Sequence, residues 1–267
     1  MEILDFKTMI LETIEPGIGL LSLNRPGKLN AMNLDMIDDF DELFLKLRRT
    51  DCPTRVLIVT GKGRGFSSGA DLSDASSSQA AEAFSDPEIY MKLVQERYGN
   101  MITGLRNIPQ PVIAAVNGAA AGGGFALALA ADIRVGTPEA CFIASFINIG
   151  LTGGELGTSY LLPRVVGLPR AADILYTGRK VWGEEAEKIG LINRLVPTEE
   201  LIEAALSYAR PMIEKTAGGL RYTKVALDRN LCAPSLEAAM DLENRNQAIM
   251  IFAKEFFGRI NAFLKKG

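Results

Sequence analysis

Val112–Val135 reads VIAAVNGAAAGGGFALALAADIRV: an apolar run, a glycine triplet, then a run of small residues. Pro111–Val116 has the make-up of a short buried strand, and Gly122–Gly124 that of a tight turn entering a small-residue helix. A helix start leaves backbone N–H groups without partners, and glycine lets another backbone approach closely. The same plan occurs upstream, where Arg55–Thr60 leads to Ser67, Ser68, Gly69 and Ala70. Two such turns brought together would make a two-donor anion hole. The plainer reading is that these glycines only permit tight turns and close helix–sheet packing.

Working outward, Thr8–Asn24 predicts two strands about a turn at Pro16 and Gly17. Asn33 is placed to cap a helix in which Leu34, Ile37, Phe40, Phe44 and Leu47 form an apolar stripe. Gly61 to about Ser78 is a long Gly/Ser loop, followed by a helical region over 86–107. Ile133–Thr137 and Cys141–Ser145 read as strands. Past Arg164 the pattern is helical, over 168–177, 183–189, 198–215, 219–229 and 235–265. Strands alternating with helices early and helices late predict an α/β fold with a helical C-terminal part. No low-complexity linker divides the chain and no short repeat is visible.

Composition narrows the chemistry. The 267 residues are 48% hydrophobic and 23% charged, enough to bury a core without disulfides or metals. The net charge is -3 with no basic block, which gives nucleic acid no footprint. The cysteines are three, Cys52, Cys141 and Cys232, widely spaced, which points to a reducing compartment and, with no signal-like N-terminus, to the cytoplasm. No apolar run reaches membrane-spanning length. Histidine is absent, so Ser-His-Asp and Cys-His catalysis and His-ligated metals are excluded. No metal site is expected. The chemistry must come from carboxylates, Lys, Tyr, Ser, Cys or backbone amides.

A dinucleotide reading competes. Gly118, Gly122 and Gly124 fit G-x-x-x-G-x-G after a strand, and Tyr176 stands four residues before Lys180, as in short-chain dehydrogenases. Against it, the glycine loop lies mid-chain, the Tyr–Lys pair follows too soon, and no acid closes a strand about 20 residues on.

GKGRGFSSGADL (61–72) and VIAAVNGAAAGGGFALALAADIRV (112–135) resemble the two signature segments of the crotonase superfamily, the enoyl-CoA hydratase/isomerase proteins. LNRPGKLNAM (23–32), LGTSYLLPRVVG (156–167) and TGRKVWGEEAEKIGLINRLVP (177–197) resemble the same pattern in order, from about residue 8 to the end. The resemblance implies a crotonase-type spiral of ββα units over 1–200 and a C-terminal helical trimerisation region over 201–267. It implies an acyl-CoA thioester as ligand and partner, no cofactor beyond the coenzyme A of that substrate, and trimers or dimers of trimers. By position, the amides of Ala70 and Gly123 would hold the thioester carbonyl. Lys28 and Leu29 would line the CoA entrance, with Lys28 near phosphate, and Ala31, Ser68, Asp71 and Leu72 the pantetheine and adenine region. Gly122, Ala126 and Phe146 would border the acyl group.

Two positions depart from the pattern. Where hydratases of the family carry paired glutamates, this chain has Ala126 and Phe146. Glu155, in the later TGGELGTSYLLPR (152–164), matches the acid that some double-bond-shifting members place before an aromatic residue. One carboxylate suffices for a 1,3-proton shift, whereas water addition must also position water. Glu155 is therefore the candidate acid–base residue of an isomerase. A one-glutamate 2-enoyl-CoA hydratase, a non-catalytic acyl-CoA-binding protein and a plain helix cap are the other readings of it. Phe142, Phe146 and Tyr160 suggest an apolar acyl pocket, with Tyr160 alternatively in the core. Asp71 has loop fixing, and Asp132 a cap or turn, as the ordinary alternatives to a functional role.

Overall fold

The computed structural model describes residues 3–73 and 86–264, with side chains through residue 261. Residues 74–78 of the expected Gly/Ser loop, and residue 265, lie outside them. Ile3–Asp5 (β1), Met9–Glu15 (β2) and Ile18–Leu23 (β3) pair antiparallel, the last two about the Pro16–Gly17 turn. Leu34–Leu47 (α1) follows, and the Asn33 side chain accepts from the Met36 amide as expected of the cap.

From there the chain alternates between two sheets. Val56–Gly61 (β4), Val112–Val116 (β6) and Ile133–Gly136 (β8) extend β3 as parallel strands of a seven-stranded sheet. The strands that follow each of them, Gly65–Ser67 (β5), Ala119–Ala121 (β7) and Cys141–Ile143 (β9), lie side by side in a four-stranded sheet. Lys180–Trp182 (β10) closes the small sheet antiparallel to β9, and Arg194–Leu195 (β11) the large one beside β8. Each turn of the chain thus gives one strand to each sheet, the ββα spiral of the expected α/β class. It is a repeat of geometry without a repeat of sequence.

The helices between turns are Pro87–Tyr90 (α2), leading through a π turn at Met91–Gln95 into Glu96–Asn107 (α3), and Gly123–Ala130 (α4). Thr158–Val166 (α5), Leu168–Thr177 (α6) and Gly183–Lys188 (α7) follow. Both faces of the large sheet are buried, and its strands alternate accordingly. Leu57 and Val59 of β4 join one core with α1, α3 and α4. Val56 and Ile58 join the other, under Leu201, Ala205 and Ala209 of Leu201–Ile213 (α8). The apolar face of α8 therefore packs with the sheet, although it lies past residue 200. Ala217–Asn230 (α9), Leu236–Ile251 (α10) and Lys254–Leu264 (α11) complete the chain. The single helix expected over 235–265 is two, broken at Phe252–Ala253.

Two local constraints fix where the strands end. An added Cβ at Gly124 would lie 2.2 Å from the Ser67 carbonyl oxygen, so α4 packs backbone to backbone on β5. Asn30, fully buried with φ 54°, accepts from the Arg25 amide (2.9 Å) and donates to the carbonyls of Lys62 (3.0 Å) and Gly65 (2.8 Å). Asp132 serves the frame as well, accepting from the Val112 amide (2.8 Å) and pairing with buried Lys224 (3.1 Å).

Gly124→Ala is expected to cost about 3 kcal/mol, because the backbone it meets cannot move aside as a side chain would. Asn30→Ala is expected to cost about 3 kcal/mol by leaving buried backbone groups unpaired. Urea denaturation reads both, and an unchanged midpoint in either variant contradicts the corresponding contact.

Candidate active site

Residue 70 is held by its neighbours. The Met32 amide donates to the Gly69 carbonyl (2.8 Å) and the Asp71 amide donates to the Met32 carbonyl (2.8 Å), a parallel bridge opposite Ala70. In such a bridge the flanking residues make the bonds, and the middle residue's own N–H points the other way. The loop is tied down further: Ser67 Oγ donates to the Asn30 carbonyl (2.8 Å), and Arg25 pairs with Asp71 (2.8 Å). The Ser73 hydroxyl and then the Arg25 guanidinium hold the Asp71 carboxyl below its ordinary range, against the opposing pull of burial.

The second turn leaves β7 and enters α4. The Gly122 amide donates to the Ile143 carbonyl (2.9 Å). Gly123 opens the helix, where an amide has no intrahelical acceptor and the helix end carries partial positive charge. The two turns touch. Gly69 has φ +90°, and a Cβ there would lie 2.7 Å from the Ala121 oxygen and 3.1 Å from the Gly123 nitrogen. Among the described residues no acceptor takes the amide of Ala70 or of Gly123.

Glu155 stands on a third turn, ahead of α5. The next residue, Leu156, has φ 50°, and its Cδ1 lies 3.5 Å from where a Cβ on Gly123 would be. The Glu155 turn is therefore packed on the second amide turn. Buried Thr158 fixes its backbone, accepting from the Glu155 amide (3.1 Å) and donating to the Glu155 carbonyl (2.7 Å). Among the described residues the carboxylate accepts no hydrogen bond from the first turn of α5, and Oε1 accepts from Gln95 Nε2 at 2.9 Å. The hydrogen bond of a helix cap is therefore not made by Glu155. Gln95 thus gives the carboxylate a polar neighbour beside the apolar Leu156. Tyr90 is a neighbour too: burial, and then the Glu155 charge, raise the pKa of its hydroxyl.

Leu29, Asn30 and Leu156 are the non-glycine residues with positive φ among those described. All three lie in the loops bordering these turns. Such conformations cost about 1–3 kcal/mol each and persist where the surroundings over-determine them.

The remaining sequence candidates fall around the same loops. Exposed Lys28 donates to Ser73 Oγ (3.3 Å), and half-buried Leu29 packs over Gly65. Ala31 is buried, its carbonyl taking the Arg25 guanidinium. The Ser68 amide donates to the Leu29 carbonyl (3.0 Å). The Asp71 carboxylate is engaged by Arg25 and Ser73, which is the loop-fixing role, and Leu72 is exposed beside it. Phe146 covers Gly122, its ring carbon 3.3 Å from a Cβ there, and Ala126 is fully buried one helical turn along.

Phe142 is fully buried against Phe125, centroids 5.7 Å apart. Tyr160 is neither in the core nor beside the Glu155 carboxylate. It is 43% exposed, with its hydroxyl 2.8 Å from Cys232 Sγ and Arg164 over its ring. The dehydrogenase pairing of Tyr176 with Lys180 fails as well, because Tyr176 is 81% exposed and Lys180 lies by Trp182. Reading the sequence missed Gln95 and Tyr90, which carry no motif, the role of Met32 at the end of LNRPGKLNAM, and the left-handed Leu156, whose only sign is its place between Glu155 and Gly157.

Residues 13–267 match the family model described as Enoyl-CoA hydratase/isomerase. Over 239 residues the chain is 45% identical to the Mycobacterium bovis protein named Probable enoyl-CoA hydratase echA12, covering 90% of this chain and 83% of that one. A probable enoyl-CoA hydratase/isomerase from Mycobacterium abscessus has a crystal structure that matches with a TM-score of 0.86 at 38% identity, over 97% of this chain and 96% of that one. A monofunctional enoyl CoA isomerase from M. smegmatis matches with a TM-score of 0.74 at 42% identity, over 88% of this chain and 98% of the other. With a spiral of paired strands and matches of this extent, the chain belongs to the enoyl-CoA hydratase/isomerase family of the crotonase superfamily.

Proposed function

We propose that the protein is an acyl-CoA-processing enzyme that moves the double bond of an unsaturated acyl-CoA, with Glu155 as its one acid–base residue. The observation that carries this reading is where the carboxylate stands. Glu155 sits on the turn packed against Gly123, while Ala126 and Phe146, at the positions of the paired hydratase glutamates, are buried and apolar. Both kinds of activity occur among the names of similar proteins, so the choice between them rests on this site.

The thioester oxygen sits between the Ala70 and Gly123 amides. Glu155 takes a proton from C2 of a 3-enoyl thioester, and the electron pair spreads through the dienolate to the oxygen held by the amides. The protonated carboxyl then returns its proton to C4, leaving the double bond between C2 and C3 and Glu155 as it began. No water is added and nothing is oxidised. Each amide aimed at the developing oxyanion contributes roughly 10²–10³ in rate. Lys28, at the open end of the Ser68–Ser73 loop, suits a CoA phosphate.

The tail supports self-association, as a trimer or a dimer of trimers. Leu227, Leu236, Phe252 and Phe257 stand exposed on and between α9, α10 and α11, Phe252 at 87%. Exposed apolar side chains of this size suit burial against further copies.

Supplied separately with 3-enoyl-CoA and 2-enoyl-CoA, the protein is expected to convert the first into the second and form no 3-hydroxyacyl-CoA. Hydroxyacyl product without migration makes it a hydratase, and no turnover of either makes it a binding protein. Glu155→Gln is expected to lower kcat by about 10²–10⁴ with thioester affinity little changed; full activity in that variant rules the mechanism out. Sedimentation is expected to show three or six copies, and a monomer at micromolar concentration would contradict the covering of the tail.

A further inference from the structure

We infer that Gln95 is a positioning residue: it pins Oε1 of the Glu155 carboxylate and leaves Oε2 to carry the proton. The inference rests on the reading of Glu155 as the proton carrier. Gln95 comes from the π turn, 60 residues from Glu155 in the chain, and its Nε2 donates to Oε1 at 2.9 Å. Both side chains are half-buried. The Thr158 hydroxyl at the turn is already engaged. Thr158 Oγ1 serves the backbone of Gly153 and Glu155, at 3.1 Å and 2.7 Å from their carbonyl oxygens. Among the described residues Oε2 takes no hydrogen bond.

An amide N–H can only donate, so its choice of oxygen has a chemical consequence. With the carboxylate ionised, Oε1 accepts from Gln95. When the C2–H bond breaks and the proton forms an O–H bond on Oε2, Oε1 becomes the carbonyl oxygen of the acid and still accepts. When the O–H bond breaks and the proton passes to C4, the original state returns with the Gln95 bond unbroken. A proton placed on Oε1 would face the amide hydrogens and break that bond. The shift therefore runs from one oxygen, on one face of the dienolate.

The groups around Glu155 make the contact measurable. From α2 the titratable group is Tyr90, whose pKa is raised by burial and by Glu155, so it stays neutral through the acid range. Thr158 on α5 is not titratable, and Leu156 and Gly123 bring no charge to the packed turns. Removing a donor from a carboxylate favours its protonated form, and adding a second carboxylate favours it further.

Gln95→Leu in the whole protein is expected to lower kcat about tenfold with KM within about twofold, and to move the acid limb of the kcat profile. Gln95→Glu, nearly isosteric, is expected to move the limb at least as far, and it serves if the leucine variant does not fold. A ¹³C titration of the Glu155 carboxyl carbon, assigned by its loss in Glu155→Gln, reports the same shift without turnover. A profile and a titration both unchanged in the variants overturn the inference. If Glu155→Gln stays fully active while the Gln95 variants still shift the Glu155 titration, the contact stands and the proton-carrier reading falls. If Glu155→Gln is inactive and the Gln95 variants match the wild type, the assignment to Gln95 falls alone.

Discussion

The Met32–Ala70 bridge spends the polar groups on either side of residue 70 and none of its own. An amide left over in this way is normally paid out to water. Here it lies next to the first turn of α4, another place where the backbone holds an unspent N–H. What brings the two together is the absence of side chains between the turns, since at Gly69 even one carbon would press on Ala121 and Gly123. The pairing of β5 with β7 in the small sheet sets the distance, and Asn30 and the Arg25–Asp71 pair hold the outer loop against it. In the proposed reaction, polarising power comes from main chain, which suits a protein without histidine.

Much of the frame was legible because it follows short-range rules. The Pro16–Gly17 hairpin, the Asn33 cap and the apolar strands of the large sheet lie where residue type and period place them. The small sheet was harder to read. β5, β7, β9 and β10 are three residues each, too short for alternation to register, and only Cys141–Ile143 fell within a segment read as a strand. The break at Phe252–Ala253 interrupts a helical pattern without glycine or proline to announce it.

The site divides along the same line. The touching glycine turns could be anticipated, because close approach leaves a compositional mark. Glu155 stood out as an acid among glycines, but its hydrogen-bond partner did not. Its polar neighbour is distant in the chain, and a lone glutamine carries no local signal. Tyr160 shows the opposite error: a residue near the site in sequence can point elsewhere, here toward Cys232 at the end of α9. Sequence proximity told which backbone segments meet, and tertiary packing decided which side chains do.

The widened turn at Met91–Gln95 bears on which side chains can share a face. On an ordinary α-helix, residues five apart are rotated by roughly 140° from one another. A π turn, bonded from each residue to the fifth along, brings them closer to a shared face. Tyr90 and Gln95 are spaced in just that way, and both look toward Glu155. The wider turn acts as a rotational shim: wound at regular pitch with every residue kept, the segment would carry the phenol and the amide onto different sides.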